Sequence, residues 1–178
     1  MAQAKKKQRF FDVDMPIVGK DTQVYGYEIE DLDNKTISYD LTRLLRGKSV
    51  LLKLRVKVKD KKAIAEPTEL IVLPYFIRRM MRKGTNYVED SFSIDCKNAK
   101  IRVKPFLITR KKVSRSIRKA LREKAREELS LYIKGKDSET LFDEVIKGKI
   151  QKTLSLQLKK VYPLSLCEIR MLKVEKTL

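Results

Sequence analysis

Over residues 49–59 the chain alternates without a break. Val50, Leu52, Leu54, Val56 and Val58 fall on one side, and Leu51, Lys53, Arg55, Lys57 and Lys59 on the other. Successive side chains of a strand point to opposite faces, so this segment is a strand with one apolar face and one wet, basic face. Such a strand fits only a sheet that covers a core on one side. The same period recurs nearby. Tyr25, Tyr27 and Ile29 alternate with Gly26 and Glu28, and Ile37, Tyr39 and Leu41 alternate with Ser38 and Asp40. Asp33-Asn34 between these runs is a turn signal. A weaker strand over residues 63–73 is expected to be interrupted by Pro67, which has no N–H to give to a ladder.

After residue 73 the period changes. Pro74 suits the first turn of a helix and Gly84 its C-terminal cap, with Ile77, Met80 and Met81 as the apolar stripe. Arg78, Arg79, Arg82 and Lys83 crowd its last turn, where the helix dipole favours cations. Residues 87–96 and 100–109 read as a hairpin joined through Lys97-Asn98. The longest helix is expected over residues 113–132, with Val113, Ile117, Ala120, Leu121, Ala125, Glu128 and Tyr132 recurring at three- and four-residue intervals. At about 100° per residue these occupy one side, and Lys111, Arg115, Arg118, Lys119, Arg122 and Arg126 are assigned to the other. Gly135 ends this helix. Asp137-Ser138 caps a short helix reaching residue 147, and Ile150, Leu154, Leu158 and Val161 align a third over residues 149–160. Pro163 stops that helix, and residues 164–174 form a closing strand.

These elements predict an α+β fold: a curled antiparallel sheet or small β-barrel-like domain flanked by helices, with one long basic amphipathic helix. Residues 1–9 form a basic, flexible arm. Residues 10–178 form a single compact domain, β-rich over 10–109, mainly helical over 110–161, and closed by a strand over 164–175. There is no internal repeat, Gly-rich phosphate loop or sustained coiled-coil heptad.

Composition narrows the function. The chain has 178 residues, 42% of them hydrophobic, enough to build a core. Its 42 Lys+Arg stand against 23 Asp+Glu, a formal net charge of +19, which attracts polyanions. Lys5-Lys6-Lys7 is followed by no apolar run, so no signal peptide is expected, and no stretch approaches the roughly 18 apolar residues of a membrane helix. The expected setting is cytoplasmic, with no membrane partner. Cys96 and Cys167 are too few for a disulfide framework or a four-ligand zinc site and read as buried thiols. Trp and His are both absent. Without His there is no Ser-His-Asp or Cys-His arrangement, no imidazole acid–base group and no imidazole metal ligand. Asp12-x-Asp14 and Asp31-x-Asp33 could in principle hold magnesium for a carboxylate-metal nuclease, but Asp in such acidic, turn-like stretches serves local Asx turns. No enzyme activity, cofactor, metal or small-molecule substrate is expected.

The charge is concentrated. Residues 76–126 hold 17 Lys+Arg and only four acids, Glu89, Asp90, Asp95 and Glu123. Cations at i, i+3 and i+4 on the long helix repel one another by a few tenths of a kcal/mol per pair unless a polyanion neutralises them. Phosphates would do so, releasing counterions and giving an affinity that falls steeply with salt. The helix lacks the polar base-reading side chains of a helix-turn-helix, and no aromatic pair on a basic strand reads as a stacking platform. The physics reaches a basic protein that docks on a folded polyanion by shape.

Arg79 to Phe92 reads Arg-Met-Met-Arg-Lys-Gly-Thr-Asn-Tyr-Val-Glu-Asp-Ser-Phe. This resembles the arginine-rich Gly-Thr segment of the archaeal and eukaryotic small-subunit ribosomal protein family S three A, also called eukaryotic-type S one. Asp40-Leu41-Thr42, the basic strand after it, Ile101-Arg102-Val103-Lys104, Val161-Tyr162-Pro163-Leu164 and Ile169-Arg170-Met171-Leu172-Lys173 are similar to family segments in the same order. The resemblance spans about residues 9–176. Phe10-Phe11 stands where the family often has Trp-Tyr, the Gly-rich segments near the start are abbreviated, and the acidic tail of eukaryotic members is missing, as in a short archaeal-type member. The resemblance implies a structural constituent of the small subunit. Its expected partners are the 3′ region of the small-subunit rRNA on the platform, neighbouring platform proteins, the messenger near its exit, and initiation factors. The basic clusters then become the expected RNA-binding residues: Lys5, Lys6, Lys7, Arg9, Arg78, Arg79, Arg82, Lys83, Arg102, Lys104, Lys111, Lys112, Arg115, Arg118, Lys119, Arg122 and Arg126. A free-standing RNA-binding assembly or rRNA-processing factor would use the same patches and is the alternative.

Overall fold

The computed structural model describes residues 7–60 and 62–177, with the Thr177 side chain excepted. Lys5 and Lys6 lie outside the described residues, as does most of the expected basic arm. The described chain runs β1 (Arg9–Met15), β2 (Lys20–Gly26), a 3-10 turn (Glu30–Leu32), β3 (Thr36–Asp40), β4 (Val50–Lys59), β5 (Lys62–Val72), α1 (Pro74–Met80), β6 (Tyr87–Glu89), β7 (Phe92–Asp95), β8 (Ala99–Thr109), α2 (Arg115–Lys134), α3 (Ser138–Ile146), α4 (Lys149–Leu158) and β9 (Leu164–Thr177). The fold is α+β, and among the described residues the strand order does not close into a barrel. Residues group into two compact units. One comprises the chain up to Tyr39 together with Lys53–Thr68, and the other Asp40–Leu52 together with the chain from Glu69 onward.

In the first unit β1 and β2 form an antiparallel hairpin, in register from Arg9↔Gly26 to Met15↔Lys20. Its tight turn returns two N–H groups, of Val18 and Gly19, to the Met15 carbonyl. Gly19 sits there at φ +66°, where a side chain would be strained. β1 continues alongside β5 in parallel at Val13↔Ala63. Val13, Met15, Leu32, Leu54, Val56 and Ala65 form the buried core. The expected strand alternation through Ile29 ends at Gly26, because the chain turns inward to bury Leu32. A Cβ on Gly26 would stand 3.1 Å from Leu32 Cδ2. Asn34 takes the turn position as expected, at φ +62°. Pro67 does not interrupt β5. On the edge that meets β1 and β9 it falls between the residues paired with each, and the strand runs on from Lys62 to Val72.

In the second unit β8 pairs antiparallel with β9 from Ala99↔Thr177 to Thr109↔Leu164. β6 and β7 both pair with β8, and Glu69–Ile71 of β5 pair with β9. Helices α2 and α4 cover this sheet, and α3 packs on α4 and β9. The expected hairpin strand over 87–96 is broken at Asp90-Ser91, where the Asp90 carboxylate accepts the Ser91 N–H. The first helix stops at Met80, and Gly84 turns the following loop at φ +85°. Cys96 is buried and its Sγ donates to the Ala99 carbonyl at 2.8 Å. Cys167 is half-buried, and burial, then the neighbouring Glu168 charge, push its thiol up to about 12, far from the thiolate form.

Candidate nucleic-acid interface

Helix α2 starts where Ser114 caps it, its Oγ accepting the Ile117 N–H. The residues that anchor it are Leu121, Ala125, Leu129 and Ile133, an unbroken i, i+4 row that is fully buried. The expected stripe was rotated from this row: Ala120 is exposed, and Ile117, Glu128 and Tyr132 are only partly covered. The rotation relocates the basic residues. At about 100° per residue, Arg118, Arg122 and Arg126 lie beside the buried row rather than opposite it. Arg118 is half-buried, and its Nε is enclosed without a hydrogen-bond partner. Arg126 Nε is 3.3 Å from Asp90 Oδ2, at ion-pair distance, and its guanidinium lies 5.1 Å from the Phe92 ring centroid. Arg126 therefore serves to hold the β6–β7 bend.

Other expected residues are engaged as well. Arg102 pairs with Glu175 at 2.7 Å, and Lys119 with Glu123 at 3.7 Å. The outer face of α2 is not free of acids, because Lys124 reaches both Glu127 and Glu128 at 3.2 Å. What remains is a smaller set. Arg78, Arg79, Arg82, Lys83, Lys111, Lys112, Arg115 and Arg122 are exposed, and their side chains make no ion pair among the described residues. Arg110, absent from the expected site, is exposed and unpaired in the same way. In the first unit Lys7 and Arg9 are exposed and likewise make no ion pair among the described residues.

The position of these cations matters more than their number. No acid occupies the first turn of α2, while Arg115 stands in it and Lys111 and Lys112 precede it. A helix N-terminus carries partial positive charge, so each cation there costs about 0.3–1 kcal/mol where an anion would gain as much. The backbone N–H groups and the cations point one way electrostatically, toward an anion. Farther along, Arg122 lines an open cleft of about 540 Å³ with Lys104, Arg170, Glu89 and Asp90. Arg170, which the sequence did not single out, is tied to Glu89 at 2.9 Å. Its signal was its place in the segment Ile169-Arg170-Met171-Leu172-Lys173 that resembles the family. The Asp12, Asp31 and Asp33 carboxylates accept hydrogen bonds from Gln23, the Glu28 N–H, and the Asn34 side chain and Val58 N–H respectively. Among the described residues no three acids or cysteines come together as a metal-binding group. No described helix is long and apolar enough to cross a membrane.

This basic α+β chain gathers unpaired cations at a helix N-terminus and the loops beside it, an arrangement that attracts anions. The sequence model of the Ribosomal S3Ae family matches residues 6–177, and the chain belongs to that family. It is 33% identical over 95 residues to the small ribosomal subunit protein eS1 of Methanothermobacter thermautotrophicus, covering 53% of this chain and 49% of that protein. Identity to the protein of the same name from Halorubrum lacusprofundi is 28% over 127 residues, covering 69% and 59%. Identity to that of Pyrobaculum arsenaticum is 26% over 159 residues, covering 86% and 72%. The chain thus spans about half to three-fifths of the length of the first two of these relatives.

Proposed function

We propose that this chain is a non-enzymatic structural constituent of the small ribosomal subunit that binds its rRNA in the cytoplasm. The observation that carries the reading is the gathering of unpaired cations ahead of and within the first turn of α2, where only an anion relieves the charge. Family membership and the relatives' names support the ribosomal setting. Within it, Arg110, Lys111, Lys112, Arg115 and Arg122 receive phosphates of one RNA segment, and Arg78, Arg79, Arg82 and Lys83 those of another. Lys7, Arg9 and Lys104 add contacts, with Lys5 and Lys6 before them in the chain. Arg102, Arg118, Lys119 and Arg126, paired or partly enclosed, assist mainly by holding shape. The finer reading follows the family resemblance: a place on the platform, near the messenger exit and the 3′ region of the rRNA, beside other platform proteins and within reach of initiation factors.

Sedimentation of tagged protein from native lysate through sucrose tests this. Stoichiometric migration with the mature small subunit at moderate salt is the expected result. Recovery only in precursor or lighter fractions would overturn it in favour of a free-standing assembly or processing factor. Reversing Arg115 and Arg122 to Glu should block incorporation while the protein stays folded by circular dichroism. Arg118 is a poor choice for that test, since its enclosed Nε ties it to the packing.

A further inference from the structure

We propose that the outer face of the β1–β2 hairpin is a docking surface for an extended Lys/Arg-rich protein segment. The register assigns Phe10, Asp12 and Asp14 to this face on β1, opposite Tyr25, Gln23 and Asp21 on β2. All six are exposed, while Val13 and Met15 of the reverse face are buried. Phe10 and Tyr25 form a cross-strand aromatic pair, ring centroids 4.9 Å apart, yet they are 67% and 51% exposed. Contiguous exposed aromatics mark interaction sites more than isolated ones do.

The charge says what kind of partner fits. Within the β1–β2 ladder this face carries three carboxylates and no cation, on a chain of net charge +19. Where it continues onto β5, through Asp14↔Ile64, it carries exposed Lys62 beside Asp12 and a Glu66 that pairs with Lys57. Asp14 and Asp21 stand directly opposite each other, an arrangement that destabilises an isolated hairpin. Among the described residues neither makes an ion pair. RNA phosphates would be repelled by Asp14 and Asp21, the pair away from Lys62. Guanidinium and ammonium groups would stack on Phe10 and Tyr25 and neutralise Asp12, Asp14 and Asp21, gaining on both counts. The surface is therefore separate in chemistry from the cations around α2. It draws on the ribosomal reading only in that such an assembly supplies basic protein segments.

The chain contains no Trp, so Phe10→Trp places a single indole in the face. Full-length Phe10→Trp protein would be titrated with a synthetic arginine-rich peptide and, separately, with an RNA helix. The peptide should change the indole emission saturably. Adding Asp12→Asn, Asp14→Asn and Asp21→Asn, or Tyr25→Ala, should weaken it about tenfold or more, with circular dichroism unchanged. An emission change produced by RNA and not by peptide, or peptide binding indifferent to these substitutions, would overturn the proposal. Arg115→Glu with Arg122→Glu separates the two readings. It should abolish RNA binding and leave the peptide titration as it was, whereas a Phe10→Trp protein with Arg115 and Arg122 intact that binds peptide but no RNA would sink the rRNA reading alone.

Discussion

Two stretches of this chain, one of 51 residues and one of 25, carry opposite charge. Residues 76–126 hold 17 Lys+Arg and four acids. Residues 10–34 hold seven acids (Asp12, Asp14, Asp21, Glu28, Glu30, Asp31 and Asp33) against Lys20 alone. The basic stretch keeps many of its cations out of ion pairs, and the acidic one sets two carboxylates opposite each other in one ladder. Each arrangement costs the isolated protein some stability, and each is relieved by a partner of opposite sign. A protein selected only for solubility would intersperse its charges. Separation of this kind suits a molecule with two kinds of neighbour, one a polyanion and one a cationic protein.

The largest effect that separates the regions is on RNA affinity. Reversing Lys111, Arg115 and Arg122 to Glu should weaken binding to a small-subunit rRNA fragment by at least about 10²-fold near physiological salt, and should lower the slope of log affinity against log salt by roughly three. Filter binding at several salt concentrations measures both. Changing Asp12, Asp14 and Asp21 to Asn should leave RNA affinity unchanged or slightly tighter. If the acidic-face variant lost RNA as completely as the basic one, the two regions would not have separate partners.

A second comparison lies within α2 itself. Leu121, on the fully buried row, and Arg122, one residue on and exposed, are adjacent in sequence and differ in what they serve. Leu121→Ala should destabilise the protein by about 2–5 kcal/mol in urea unfolding, since it leaves a cavity under the helix. Arg122→Ala should change stability by less than about 0.5 kcal/mol and act on RNA affinity instead. Equal destabilisation by both would mean that the flank, like Arg118, is part of the packing.

Much of the fold was legible because it is local. The alternation of β4, the Ser114 cap of α2, the start of α3 after Asp137 (whose side chain makes no capping bond), and the stop at Pro163 are written in residues a few positions apart. The rotation of α2 was harder to read. Including Glu128 and Tyr132 gave a stripe of plausible spacing, while the continuous row Leu121, Ala125, Leu129 and Ile133 shares two of its members. Two overlapping arcs on one helix differ by a few tens of degrees, and only the packing against the sheet and α4 chooses between them. Pairings such as Val13 with Ala63, or Ala99 with Thr177, join residues far apart in sequence and leave no local mark. In the candidate interface, the density of Lys and Arg was visible, but which cations are committed inside the protein was not. Arg102, Lys119 and Arg126 meet Glu175, Glu123 and Asp90 only through the fold or its helical geometry. The sequence assigns turn chemistry to Asp12, Asp14, Asp31 and Asp33. That is right for Asp31 and Asp33 and not for Asp12 and Asp14, which stand inside β1, and the face these two share with Asp21 emerges only from the β1–β2 register.

The smallest effect tests that face without any partner. If Asp14 and Asp21 repel across the ladder, Asp14→Asn should stabilise the free protein, by about 0.2–1 kcal/mol, rather than destabilise it as most substitutions do. Exposed charges are screened within about 3 Å at 1 M salt, so the gain should shrink as salt rises. Urea unfolding at low and high salt gives both numbers. Asp14→Lys should exceed Asp14→Asn, because it replaces repulsion by attraction to Asp21. The ranking Lys above Asn above Asp in stability of the free chain is opposite to the ranking expected for binding an arginine-rich segment. A residue kept for folding alone would rank the same way in both.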